Sequence, residues 1–137
     1  MKKNNKPFIL GISISFLVFL FIGVFIVDIG INSKFFIKKH FNQAFEYRST
    51  GDCDSFANYL YKDIEKWRLT CEEEKNHDAR PIRYFIVQNV SYKFGSDKAF
   101  LQVELTRNNT GNDYTYSVNY EMKKDGLRWK IDQENKN

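Results

Sequence analysis

The feature that most constrains this chain is the stretch Phe8–Val27, FILGISISFLVFLFIGVFIV. It is twenty residues without a charge or a proline, and nothing in it is more polar than Ser13 and Ser15. At about 1.5 Å of rise per residue, a helix of that length spans about 30 Å, the hydrocarbon thickness of a bilayer. Lys2, Lys3 and Lys6 precede it and Asp28 closes it. The expectation is a single transmembrane signal anchor over residues 8–29, behind a cytoplasmic tail of residues 1–7. A cleaved signal peptide has an apolar core of about 7–15 residues and a small-residue cleavage site. Here the core is longer, and Val27-Asp28-Ile29-Gly30-Ile31-Asn32-Ser33 offers no such site.

Everything after Asn32 is polar-globular and long enough for one domain, expected over residues 33–132 with a polar tail at 133–137. Of the whole-chain totals of 21 basic and 17 acidic residues, three lysines and one aspartate lie before Asn32, which leaves the domain with 18 and 16. These charges are interspersed, with no basic run longer than Lys38-Lys39 or Lys123-Lys124. Nucleic-acid binding concentrates positive charge on one element, so it is not expected here.

Lysines flank the span on both sides, with Lys34, Lys38 and Lys39 following it, so the positive-inside rule gives nearly balanced counts. The two cysteines, Cys53 and Cys71, break the tie. A lone even pair suits an oxidising compartment, which puts the N-terminus in the cytoplasm and the domain outside it.

Along the domain, Ser33 can cap a helix ending at Gly51, with Ile37, Phe41 and Phe45 every four residues and Phe36 and Ala44 beside them. Asp52 or Asp54 caps a second helix bearing Phe56, Tyr59, Leu60, Ile64 and Trp67 at helical spacing. Thr70-Cys71-Glu72-Glu73 reads as a capping box, predicting a break near Arg68-Leu69 and a third helix. On one unbroken helix Cys53 and Cys71 would stand about 27 Å apart. A turn between them makes a Cys53–Cys71 disulfide feasible, against the alternative of two buried thiols.

From Ile82 the period becomes two. Ile82, Tyr84, Ile86, Val90, Tyr92 and Phe94 share one parity, and a turn follows at Gly95-Ser96-Asp97. Ala99, Leu101, Val103 and Leu105 mark a second strand. After the polar loop Asn108–Asp113, Tyr114, Tyr116, Val118, Tyr120 and Met122 mark a third. Asp125-Gly126 is a hairpin signal before Leu127, Trp129 and Ile131. The expected fold class is α+β, with three helices packed on a four-stranded antiparallel meander.

Three stretches carry a resemblance: Ala44-Phe45-x-x-x-x-x-Gly51-Asp52 with Phe56-Ala57-x-Tyr59-Leu60, Asp97-Lys98-Ala99-x-Leu101-x-Val103, and Lys123-Lys124-Asp125-Gly126-x-x-Trp129-Lys130-Ile131. With this element order the chain resembles the nuclear-transport-factor-2-like superfamily, in its small bacterial, membrane-anchored, extracytoplasmic branch. The resemblance implies a cone-shaped domain in which a curved sheet wraps a long helix around a pocket. It also implies a place at a bacterial cytoplasmic membrane. The superfamily holds isomerases, dehydratases, small-ligand binders and non-catalytic assembly modules, among them the inner-membrane assembly factor of type IV secretion systems.

A catalytic role would need a carboxylate or histidine in the pocket. The candidates are Asp52, Asp54, Asp63, Glu104, Glu121, His40 and His77. The aspartates sit at caps or helix surfaces, and Glu104 and Glu121 are expected on the solvent face. Two histidines without a Cys-x-x-Cys leave too few ligands for zinc. No catalytic, cofactor or metal site is therefore expected. Tyr84, Tyr92, Tyr114, Tyr116, Tyr120 and Trp129 are the candidates for a pocket lining or a partner surface, with ordinary cross-strand packing as the alternative. The expected function is a non-catalytic, membrane-tethered interaction module of an envelope or secretion assembly, with a small-molecule binder or isomerase-like enzyme as the alternative. The expected partners are the lipid bilayer and envelope proteins, with self-association open.

Overall fold

The computed structural model describes residues 6–76, 81–109 and 111–136, and within these the side chains of residues 6–14, 27, 28, 109 and 136 are not described. His77, the loop from it to Arg80, Thr110, and the tail lysines Lys2 and Lys3 lie outside the described residues. The chain divides into two compact units, residues 1–31 and 32–137.

The first unit holds helix α1, Lys6–Ile31. Phe16, Phe19, Phe21 and Phe25 are all exposed along it. Among the described residues, no single helix is long and apolar enough to cross a membrane.

The second unit opens with α2, Lys34–Thr50. Ser33 caps it by accepting from the Phe36 N–H at 3.3 Å, and Gly51 ends it in the left-handed conformation at φ 75°. A side chain at Gly51 would be strained there and would also meet the Lys75 side chain at 3.0 Å. The apolar stripe of α2 is the core. Ile37, Phe41, Ala44 and Phe45 are fully buried, and the Phe41 and Phe45 rings stack at 4.4 Å and each pack on Tyr120 at 5.1 Å.

Helix α3 is short, Cys53–Ala57, and Asp52 caps it by accepting from the Ser55 N–H. Helix α4 runs unbroken from Ile64 to Lys75. The chain therefore breaks at Asn58–Asp63 and not near Arg68-Leu69. The reason is in the pairing. Leu60 bridges Ile131 on the last strand, where Ile131 donates to the Tyr59 carbonyl and Tyr61 donates to the Ile131 carbonyl. An apolar residue that looked helical by spacing is spent on a sheet edge. Asp63 then turns the chain into α4 at φ 52°, a conformation aspartate tolerates. Thr70 is inside α4, its hydroxyl donating to the Lys66 carbonyl, so it caps nothing.

Strands β1 (Ile82–Tyr92), β2 (Lys98–Asn109), β3 (Asn112–Asp125) and β4 (Arg128–Lys136) form one antiparallel sheet in the order β1-β2-β3-β4. This is the expected α+β meander. Its inner face is Val103, Leu101 and Ala99, opposite Val118, Tyr120 and Met122. The expected parity of β1 fails, because register shifts after Ile82 and after Val87 turn the strand over. Val87 and Val90 are buried, while Tyr84 and Ile86 face water. The polar stretch Asn108–Asp113 is mostly ladder, paired down to Asn109 with Asn112. Residues 133–136, expected as a tail, continue β4 against β3.

Candidate functional site

A cluster of polar side chains from four elements sits at one end of this core. Arg48 comes from the last turn of α2, Glu74 from the last turn of α4, Arg107 from β2 and Tyr116 from β3. Arg48 continues the buried stripe of α2, one turn beyond Ala44 and Phe45, so helix geometry carries its guanidinium inward. Its Nε and Nη2 each donate to a Glu74 carboxylate oxygen at 2.8 Å. Arg107 Nη1 donates to the same carboxylate at 2.7 Å, and its Nε donates to the Tyr116 hydroxyl at 2.6 Å. Phe45, Phe56 and Trp67 surround the Arg48 guanidinium at 5.2–5.7 Å.

What holds Glu74 in place is covalent. Cys53 and Cys71 form a disulfide with their Cα atoms 5.6 Å apart, tying α3 to α4 one turn before Glu74. Burial alone would raise the Glu74 carboxyl, but hydrogen bonds and charge from Arg48 and Arg107 overcome it and hold the group below the usual carboxylate range. Burial likewise pulls Arg48 down, and Glu74 more than restores it. Two cations around one anion make a charged strut whose carboxylate is committed.

A cavity of about 580 Å³ opens beside the strut, lined by Arg48, Trp67, Thr70, Glu74, Arg107 and Asp132 among others. That is within the range of small-ligand pockets. Asp132 reaches it through a β-bulge. Glu121 pairs with Gln133 and Met122 with Ile131, which leaves Asp132 as the extra residue, buried in β4. The only buried polar atom of the strut without a hydrogen-bond partner among the described residues is Arg48 Nη1, a donor suited to a ligand's carboxylate or phosphate oxygen.

The residues singled out in the sequence scatter. Tyr120 and Trp129 are fully buried in the core. The Tyr120 hydroxyl donates to Glu134, and burial pushes its pKa well up. Tyr92 packs edge-on against Trp129 at 5.7 Å, Tyr114 stacks on Tyr116 at 5.7 Å, and Tyr84 is exposed on the outer face. Of the acids, Asp63 borders the cavity, Asp52 caps α3, Asp54 lies in the first turn of α3, and Glu104 accepts from Gln88. Glu121 departs from the expectation of solvent exposure. It is buried, paired with Lys98 and hydrogen-bonded by Gln133 at 2.8 Å, and the Lys98 contact keeps it below the ordinary range. His40 accepts the Trp129 N–H on Nδ1 at 3.3 Å, and burial lowers its pKa. Among the described residues no group of three His, Cys, Asp or Glu side chains converges as a metal site.

Sequence reading missed Arg48, Glu74, Arg107 and Asp132. A signal for Arg48 was present: a charge at the next position of an apolar stripe demands a buried partner.

No family model matches the sequence, and no curated protein matches it. Solved structures do. An NTF-2-like protein of unknown function from Shewanella oneidensis is 12% identical with a TM-score of 0.56, over 72% of this chain and 93% of that one. The intermembrane space region of the chloroplast protein ARC6 is 14% identical with a TM-score of 0.56, over 72% and 91%. A SEC-C motif containing protein from Rhodopseudomonas palustris is 10% identical with a TM-score of 0.55, over 66% and 70%. At such identities the likeness is one of fold: the α+β domain is built like that of an NTF-2-like protein.

Proposed function

We propose that this chain is a non-catalytic, membrane-tethered module of the nuclear-transport-factor-2-like kind. It presents its domain outside a bacterial cytoplasmic membrane, as a subunit of an envelope or secretion assembly. The observation that carries this reading is the state of Glu74. The buried acid beside the cavity is held ionised by Arg48 and Arg107, with both carboxylate oxygens taken up in bracing α4 against the sheet. The Cys53–Cys71 disulfide supports a domain on the oxidising side. The apolar run Phe8–Val27 supports the tether. Crosslinking in native membranes, followed by mass spectrometry, tests the role. Reproducible recovery of other envelope proteins is expected, and recovery of this chain alone contradicts it.

A second reading, a small-ligand binder, is favoured by one specific observation. Arg48 lines a cavity of about 580 Å³ and keeps one guanidinium nitrogen without a partner. Small carboxylates or phosphates that raise the unfolding midpoint of the full chain would favour it over the assembly role.

A further inference from the structure

The end of the domain where α2 begins gathers three apolar side chains that have no business in water. Phe35 on the first turn of α2, Phe94 at the β1–β2 turn and Leu127 at the β3–β4 turn are 71%, 65% and 70% exposed. Contacts place all three segments together. The Lys124 N–H donates to the Asp97 carbonyl at 2.8 Å, joining the two hairpin turns. Trp129, just past the second turn, donates to His40, whose ring lies 6.2 Å from that of Phe36, the neighbour of Phe35. Both turns depend on a glycine at positive φ, Gly95 at 79° and Gly126 at 60°, next to the apolar residue.

Exposed cations surround these tips: Lys34 and Lys39 on α2, Lys93 beside Phe94, and Arg128 beside Leu127. The acids at this end are answered locally, Glu121 by Lys98. Asp125 is paired with Lys130 at 2.7 Å, and Asp97 lies in the field of Lys98 and Lys123. The exposed acids Asp52, Asp54 and Glu73 sit instead around α3 and α4. The domain is therefore polarised, with basic and apolar character at the turn end.

We infer that this end docks on an anionic phospholipid surface, with Phe35, Phe94 and Leu127 entering the headgroup layer and Lys34, Lys39, Lys93 and Arg128 meeting the phosphates. Apolar tips with a basic rim complement the two layers of such an interface. Each cation near the surface strengthens association roughly fivefold at low salt. A protein partner for the same patch would have to be both acidic and deeply apolar in three places, which an anionic membrane already is. The inference rests on the tether reading. Only Asn32 and Ser33 separate Ile31, the last residue of α1, from Lys34, the first of α2, so a spanning α1 delivers the start of α2 to the interface.

The test uses the full chain reconstituted in vesicles containing acyl-brominated lipid, with Leu127→Trp as the reporter and the parent chain subtracted for Trp67 and Trp129. One vesicle set contains about 30% phosphatidylglycerol and the other only phosphatidylcholine. The expected result is quenching of the reporter by about half or more in the anionic set, several-fold less in the neutral set, and a return to the neutral value with Lys93→Glu and Arg128→Glu. Equal quenching in both sets overturns the anionic preference. No quenching in either, with the chain still resisting carbonate extraction, overturns the docking and leaves the tether standing. Release of the chain by carbonate overturns both.

Discussion

Arg48 and Glu74 meet through two parallel hydrogen bonds of 2.8 Å, 26 residues apart in sequence and both buried. The pair joins the end of the core helix to the end of α4. Each partner is tolerable inside only because the other is there.

Replacing Glu74 with alanine leaves the buried Arg48 and the half-buried Arg107 without their anion. The expected loss is about 3–5 kcal/mol in urea unfolding followed by tryptophan fluorescence. Pairing Glu74→Ala with Arg48→Met should recover a large part of that loss, because an apolar side chain of similar length removes the stranded charge. No recovery in the double variant would mean that the strut is not the origin of the effect.

Acid should unfold the domain in two recognisable steps. His40 has a lowered folded pKa, so its contribution is complete above the unfolded value of about 6.5 and declines as pH falls through the folded one. Glu74 also has a lowered folded pKa, so its contribution is complete above about pH 4.3 and is lost below. Stability measured against pH should show a smaller lower step in Glu74→Gln, with Glu121 keeping its share, and should lose the upper step in His40→Gln.

Reducing the Cys53–Cys71 bond, or replacing both cysteines with serine, should lower stability by about 3 kcal/mol for a loop of this length. Amide hydrogen exchange in α4 should accelerate more than in β2 and β3, because Cys71 and Glu74 are two of the ties that hold α4 down.

Gly51→Ala should cost about 1 kcal/mol or more. The position holds φ 75°, and a Cβ would meet Lys75 at 3.0 Å. Gly23→Ala in α1 meets nothing within 4 Å and should leave the domain's unfolding unchanged.

The parts of the fold legible in the sequence are those in which a single period persists. The stripe from Ile37 to Phe45 with Ser33 and Gly51 at its ends, and the alternation in β2 and β3, each follow from one face being buried. Leu60 misleads because a residue at helical spacing can also serve a lone bridge to Ile131. In β1 two register shifts break the parity on which the reading of Tyr84 and Ile86 depended. The charged strut has no local signature, since Arg48, Glu74 and Arg107 are brought together only by the closed fold. Cys53 and Cys71 were legible because two cysteines allow one intramolecular pairing.

The proposed arrangement is a domain held by an N-terminal span on the outer side of a cytoplasmic membrane. Proteinase K treatment of intact spheroplasts, with an epitope fused after Asn137, tests it most directly. The expected result is loss of the epitope before lysis while the membrane pellet keeps an N-terminal fragment. An epitope that survives until the membrane is broken, or a chain found in the soluble fraction, contradicts it.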